Sequence, residues 1–220
     1  MTFLPSRRLA LAHMLGLVLL PAGGALAAST LRHAQGETTL SATPARVVSY
    51  DLAALDILNA LGVPVAAVPG ARMPASLAAF GADAYPKVGT LFEPDEAALR
   101  AVKPELIIVG GRSARQYAAM SAIAPTLDLS TRPDHFLADV KRNIRTLGSL
   151  FGRGARAESL VKALEADLAA LHAKAAKAGT GLMLFVAGQG MNVQAPGARF
   201  GYIYELFGIR PVVSAAEAAP

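Results

Sequence analysis

The chain has 220 residues, enough for one large domain or two small lobes. Just over half of them, 53%, are apolar, so a sizeable core is available, while 6% aromatics and no Trp point to a core of small side chains. A formal charge of +5 with no dense Lys/Arg run is too mild for nucleic acid, and the lack of cysteine excludes a disulfide framework, a thiolate nucleophile and a Cys that could carry a lipid.

The first segment reads as a secretory leader over residues 1–27. Arg7 and Arg8 give a basic start, Leu9 to Leu20 are nearly all apolar, and Pro21, Gly23 and Gly24 break the run before the small-residue site Ala25-Leu26-Ala27. A run of twelve residues is too short to cross a bilayer, which needs ~20. Ser6-Arg7-Arg8 followed by Leu9 and Leu11 also fits the twin-arginine route. Cleavage removes two basic residues and no acid, leaving 19 basic against 16 acidic residues, or +3. The expectation is a protein free in the periplasm, exported without a lipid anchor.

From residue 28 a Gly/Thr/Ser/Pro stretch runs through Pro44, and strand and helix patterns then alternate. Arg46 to Tyr50 is a short β-branched run. Asp51 is placed to cap a helix with Leu55, Leu58 and Leu61 on one face, which Gly62 ends. Val65 to Val68 predicts another strand, followed by a loop with Arg72 and Pro74. Lys87-Val88-Gly89 leads to Pro94 at an expected first helical turn, with Asp95 and Glu96 suited to the helix dipole; this helix runs to Val102 and Pro104 stops it. Leu106 to Val109 is continuously apolar, as a strand buried on both faces requires. Gly110-Gly111-Arg112-Ser113, a short helix and a further segment from Ile123 to Leu129 follow. This alternation predicts a parallel sheet covered on both sides, an N-terminal α/β lobe over residues 28–153.

The rhythm then changes. Phe136, Val140, Ile144, Leu147 and Phe151 keep helical spacing, as do Leu160, Leu164, Leu168 and Leu171, with Gly152 to Gly154 between the two sets. The second helix, about Ala155 to Lys177, would be ~34 Å long and is expected to act as a rigid connector over residues 154–177. A second sheet begins with Leu182 to Val186, and a helix follows around Tyr202 to Phe207. Residues 178–220 hold too few strands to close that sheet and are expected to form the start of a C-terminal α/β lobe, incomplete as it stands.

In parallel α/β sheets ligands sit at the carboxyl ends of strands. Four segments occupy such positions: Ser49-Tyr50-Asp51, Gly89 to Phe92, Gly110 to Ser113 and Gly188 to Arg199. Arg112 follows two glycines directly after the buried strand, where a planar five-donor fork suits an anion, although a surface Arg paired with a carboxylate has the same pattern. Arg199 opens the Tyr202 helix and could equally snorkel over its own lobe. Phe92 and Tyr50 could stack on a flat ligand or belong to the core. Asp51 and Asp56 read as a helix cap and a solvated face. Enzyme constellations are thin: Gly188-Gln189-Gly190 lacks the third glycine of a dinucleotide fingerprint, and there is neither a nucleophile elbow nor a phosphate loop. His13 leaves with the leader, and His33, His135 and His172 are scattered without metal-ligand spacing.

The runs Val88-Gly89-Thr90-Leu91-Phe92-Glu93-Pro94-Asp95, Lys103-Pro104-Glu105-Leu106-Ile107-Ile108-Val109-Gly110-Gly111-Arg112-Ser113 and Ile123-Ala124-Pro125-Thr126 resemble the periplasmic binding proteins for ferric siderophores, nearest the subgroup for iron-citrate, petrobactin-like and anguibactin-like chelates. Tyr50-Asp51-Leu52, Leu55-Asp56, Leu61-Gly62 and Arg199-Phe200-Gly201 fit the same pattern, which covers roughly Val47 to Val212. The resemblance implies a two-lobed α/β fold joined by one long helix, with a ferric siderophore between the lobes and no resident cofactor. It implies arginines from both sides, Arg112 and Arg199 here, on the anionic chelate. Phe92 stands where some relatives have a lysine. The resemblance further implies a monomer that docks on an inner-membrane ABC permease through a glutamate on each lobe; the first-lobe position falls at Ala97, with Glu96 one step before it. Haem or cobalamin on the same fold, with Tyr50 and Tyr202 available, and a secreted α/β enzyme on an anionic substrate are the alternatives.

Overall fold

The computed structural model describes residues 29–214, 216 and 217; the leader read over residues 1–27 lies outside them. The protein opens with an antiparallel hairpin of β1 (Ser29–His33) and β2 (Gly36–Leu40), paired from Ser29↔Leu40 to His33↔Gly36. The polar sequence here reads as loop, but Thr38 and Leu40 alternate inward and dock the hairpin beside the main sheet.

That sheet contains β3 (Val47–Ser49), β4 (Leu106–Val109) and β5 (Thr126–Asp128), all parallel, in the order β3-β4-β5. The strand expected over Val65 to Val68 is reduced to bridges, Ala67 beside Val48 and Lys87 beside Val68, because Pro64, Pro69 and Pro86 interrupt the ladder. All four residues of β4 are inaccessible to solvent. Its alternation explains the unbroken apolar run. Leu106 and Ile108 enter one core with α1 (Leu52–Leu61), α4 (Phe136–Leu150) and Val161 of α5 (Gly154–Ala175); Ile107 and Val109 enter the opposite core with Leu99 of α2 (Glu96–Val102) and Met120 of α3 (Tyr117–Ser121).

Helix ends follow the sequence signals closely. The Asp51 carboxylate accepts from the Ala54 N–H at 3.1 Å, and Gly62 closes α1 in a left-handed conformation. Asp95 caps α2 in the same way, accepting from the Ala98 N–H at 3.0 Å. Pro94 therefore precedes the cap instead of occupying the first turn, a correction of two residues.

Helix α5, 22 residues long, packs along α4, with Arg145–Glu158 and Lys141–Glu165 pairs of 2.8 Å between them. It leads to two small two-stranded ribbons: β6 (Thr180–Gly181) pairs in parallel with β9 (Arg210–Pro211), and β7 (Met183–Ala187) pairs antiparallel with β8 (Gly190–Gln194). Gly188-Gln189-Gly190 is thus a hairpin turn and not a phosphate-binding loop, since a strand follows it where a dinucleotide site requires a helix. Helix α6 (Tyr202–Phe207) completes this region and rests against α5. No described helix is long and apolar enough to cross a membrane.

Candidate functional site

Three loops gather at the carboxyl ends of β3, β4 and the bridged strand at Val88. The Gly89 loop is the tightest. Gly89 has φ +90°, and a Cβ there would lie 2.3 Å from the Asp95 nitrogen, so a side chain has no room. Thr90 Oγ1 then accepts from the backbone N–H groups of Phe92 (3.2 Å) and Glu93 (3.0 Å), and the Asp95 N–H donates to the Val88 carbonyl at 3.0 Å. The motif Val88-Gly89-Thr90-Leu91-Phe92-Glu93-Pro94-Asp95 is therefore a self-bonded turn that projects Phe92, which stays half exposed.

The second loop follows β4. Gly111 takes φ +51°, in the left-handed region, and turns the chain so that Arg112 leaves the sheet exposed while Ser113 points back and is buried. The Ser113 hydroxyl accepts from the Gly110 N–H and contacts the carbonyls of Tyr50 and Gly110, each at 3.1 Å. Gln116, just beyond, donates from its side-chain amide to the Phe92 carbonyl at 2.9 Å. Arg112 and Phe92 thus stand on one wall joined by Gln116, a link that the sequence reading missed. Among the described residues Arg112 makes no ion pair and no side-chain hydrogen bond. The nearby charge it feels is Asp51: burial pushes that carboxyl up, the Ala54 and Ala53 N–H groups hold it back, Asp128 adds to the rise and Arg112 opposes it.

Tyr50 requires a correction. It is fully buried among Val48, Val88 and Leu99, and its hydroxyl donates to the Val88 carbonyl at 2.5 Å. Burial, with Asp95 adding to it, holds the phenol well above its ordinary value. The residue therefore braces the Gly89 loop from beneath and presents no exposed ring face or free hydroxyl to a ligand. Glu96 is exposed in the first turn of α2, 3.5 Å from Arg100 one turn on.

Arg199 lies in the turn before α6. Its guanidinium sits over the Phe200 ring, 5.1 Å from the centroid, and Phe200 stacks on Phe185 at 4.9 Å. Among the described residues no hydrogen bond, ion pair or ring contact joins Arg199 to the Arg112 wall. One aromatic contact between the first region and α6 is Phe136 at the start of α4, stacked on Tyr202 with centroids 4.3 Å apart and planes at 11°. Three or more His, Asp or Glu side chains that could share a metal ion do not occur together among the described residues.

A family model described as periplasmic binding protein matches residues 47–218. The chain belongs to that family. Its members are substrate-binding proteins, and the resemblance drawn from the Val88 to Asp95 and Lys103 to Ser113 runs therefore points to the right family. The chain is 29% identical over 177 residues to the petrobactin-binding protein YclQ of Bacillus subtilis, covering 79% of this chain and 56% of the relative. It is 24% identical to the ferric-anguibactin-binding protein FatB of Vibrio anguillarum, over 82% of this chain and 58% of the relative. It thus spans just over half the length of these curated relatives. The crystal structure of YclQ superposes with a TM-score of 0.82 at 28% identity, over 86% of this chain and 68% of that one. The siderophore-binding protein BauB, solved with two acinetobactin molecules and ferric iron, gives 0.80 at 25% identity, over 86% and 69%. These likenesses establish the two-lobed α/β fold of the family.

Proposed function

We propose that this protein captures an anionic ferric siderophore between its two lobes and hands it to an inner-membrane ABC importer, making and breaking no covalent bond itself. The observation that carries this is Arg112: an exposed guanidinium without ion pair or side-chain hydrogen bond among the described residues, at the carboxyl end of a fully buried parallel strand, in a segment that Gln116 ties to the loop carrying the half-exposed Phe92. A chelate in which iron is already wrapped by its ligand needs cations, donors and aromatic faces from the protein and no side-chain metal ligands. Relatives named for petrobactin and anguibactin, and one solved with acinetobactin and ferric iron, support that ligand class. In this proposal Arg199 meets the same ligand from the second lobe, α5 connects the lobes, exposed Glu96 contributes to the permease contact, and the monomeric protein works in the periplasm after its leader is removed.

Titration with ferric petrobactin, ferric anguibactin and ferric citrate tests the proposal, with haem as a comparison ligand. Removing one partner of a desolvated charge pair costs ~2–5 kcal/mol. Arg112→Ala or Arg199→Ala should therefore weaken binding at least ~30-fold, at 1.4 kcal/mol per decade. Arg→Lys should recover part of the loss, since a point charge cannot reproduce a bidentate fork. Arg153→Ala, in the exposed turn before α5, should bind like the parent. Unchanged binding in both alanine variants would refute the arginine clamp.

A further inference from the structure

The N-terminal hairpin reaches the Arg112 turn through one side chain. Gln35, at the tip between β1 and β2, donates both hydrogens of its amide: one to the Ala114 carbonyl at 2.9 Å, the other to Asp128 Oδ2 at 2.7 Å. Asp128 is buried at the end of β5, and its Oδ1 accepts from the Ser130 N–H at 2.9 Å and the Ser130 hydroxyl at 2.5 Å. That hydroxyl oxygen in turn accepts from the Gly111 N–H at 3.0 Å. Gly111 and Ala114, on either side of Arg112 and Ser113, are thus both held from Gln35, one directly and one through Asp128 and Ser130.

We propose that Gln35 is a positioning residue for Arg112, so that the hairpin is part of the ligand-binding machinery; this rests on the ligand-binding role of Arg112 argued above. Three features separate it from a purely structural tie. The hairpin stays docked without Gln35, because the Ala34 N–H donates to the Asp128 carbonyl at 3.1 Å and the Thr38 hydroxyl donates to the Thr126 carbonyl at 2.6 Å. The turn it holds has left-handed backbone at Gly111, so no regular ladder fixes it. Among the described residues exposed Arg112 makes no ion pair and no side-chain hydrogen bond that would set its direction, so its position follows the backbone that carries it.

Gln35→Ala removes both donors, and Ser130→Ala severs the Gly111 branch alone. Hydrogen exchange of the ligand-free protein should show residues 111–114 exchanging about tenfold faster in each variant, as expected for the loss of a bond to a charged group, while residues 106–109 keep the parent's protection. Affinity for ferric petrobactin and ferric citrate should fall about five- to tenfold in each, and this loss should vanish when either substitution is added to Arg112→Ala, because the effect runs through that arginine. Unchanged exchange at 111–114, or an equal loss of affinity with and without Arg112, overturns the inference while leaving siderophore binding intact. If the parent binds neither of these probes nor ferric anguibactin, the proposed function falls, and the role of Gln35 in siderophore capture falls with it.

Discussion

Two apolar runs of similar composition meet opposite fates in this molecule. Leu106 to Val109 forms β4, every residue inaccessible; Leu182 to Val186 covers most of β7, where Leu184, Phe185 and Val186 are 42%, 37% and 66% exposed. The difference is coverage. β4 has a parallel neighbour on each edge and helices over both faces, whereas β7 pairs along one edge with β8, itself exposed at Met191 and Val193. An apolar run states that a strand can be buried; the elements around it decide whether it is. Ion pairing follows the same divide, since among the described residues no ion pair involves any residue after Glu165.

The contrast should be largest in core truncations. Ile107→Ala deletes a fully buried branched side chain and should destabilise the protein by about 2–5 kcal/mol in chemical denaturation, whereas Val186→Ser should stay within about 0.5 kcal/mol of the parent. Amide exchange should likewise protect Leu106 to Val109 to the global limit and leave Met183 to Gln194 orders of magnitude faster. Equal costs, or equal protection, would show that the ribbon is covered in solution and remove the contrast.

Much of the first region was legible because its signals are local. Asp51 and Gly62 bracket α1, Asp95 caps α2 before its Leu99 face, and the Leu106 run needs no context to read as a doubly buried strand. What escaped was non-local. Tyr50 looks like a ligand aromatic at a strand end until Val88, 38 residues away, accepts from its hydroxyl. The hairpin at 29–40 is polar along the chain, and its fit shows in contacts to Thr126 and Asp128. Arg112 was legible as an exposed cation after two glycines. The bonds of Ser113, Gln116 and Ser130 that hold its turn and tie it to Phe92 are not, because each joins residues brought together by the parallel sheet.

A smaller effect, about 2 kcal/mol, is expected at Asp139, where the first region is pinned to the start of α4. This buried carboxylate accepts from the Arg132 N–H at 2.9 Å and from its guanidinium at 2.9 and 3.0 Å, with Arg142 as a further partner. Arg132 chiefly, with Arg142, holds its pKa down from 3.8 to about 2. A depressed carboxylate contributes stability that is fully present above the ordinary value and lost as pH falls through the folded one. The parent should therefore lose about 2 kcal/mol between pH 5 and pH 2 from this group, at about 1.4 kcal/mol per unit. Asp139→Asn should be less stable by about that amount at pH 7 and lack this part of the acid dependence. An unchanged acid limb in the variant would show that the carboxylate is solvated instead.

The smallest expected effect lies where the two regions touch. Phe136 opens α4 in the first region and Tyr202 opens α6 in the second, and their stack forms part of a cavity of about 510 Å³ with Leu168 and Leu206. α6 is also tied to α5, from the His172 ring to the Leu206 carbonyl at 3.0 Å. An aromatic pair contributes about 0.5–1.5 kcal/mol beyond its buried area. Phe136→Ala and Tyr202→Ala should therefore couple by about 1 kcal/mol in a double-mutant cycle on stability, and either change should raise exchange across α6 without altering β4. Stability alone leaves open whether the stack sets the distance between Arg112 and Arg199. Affinity for a ferric siderophore resolves it: if the stack holds the lobes at the spacing the ligand needs, both single variants lose the same several-fold and the double variant loses no more. A coupling near zero in both measurements would mean that the second region is tied to the first through α5 alone, and that the arginine clamp proposed above would have to close from independently moving lobes.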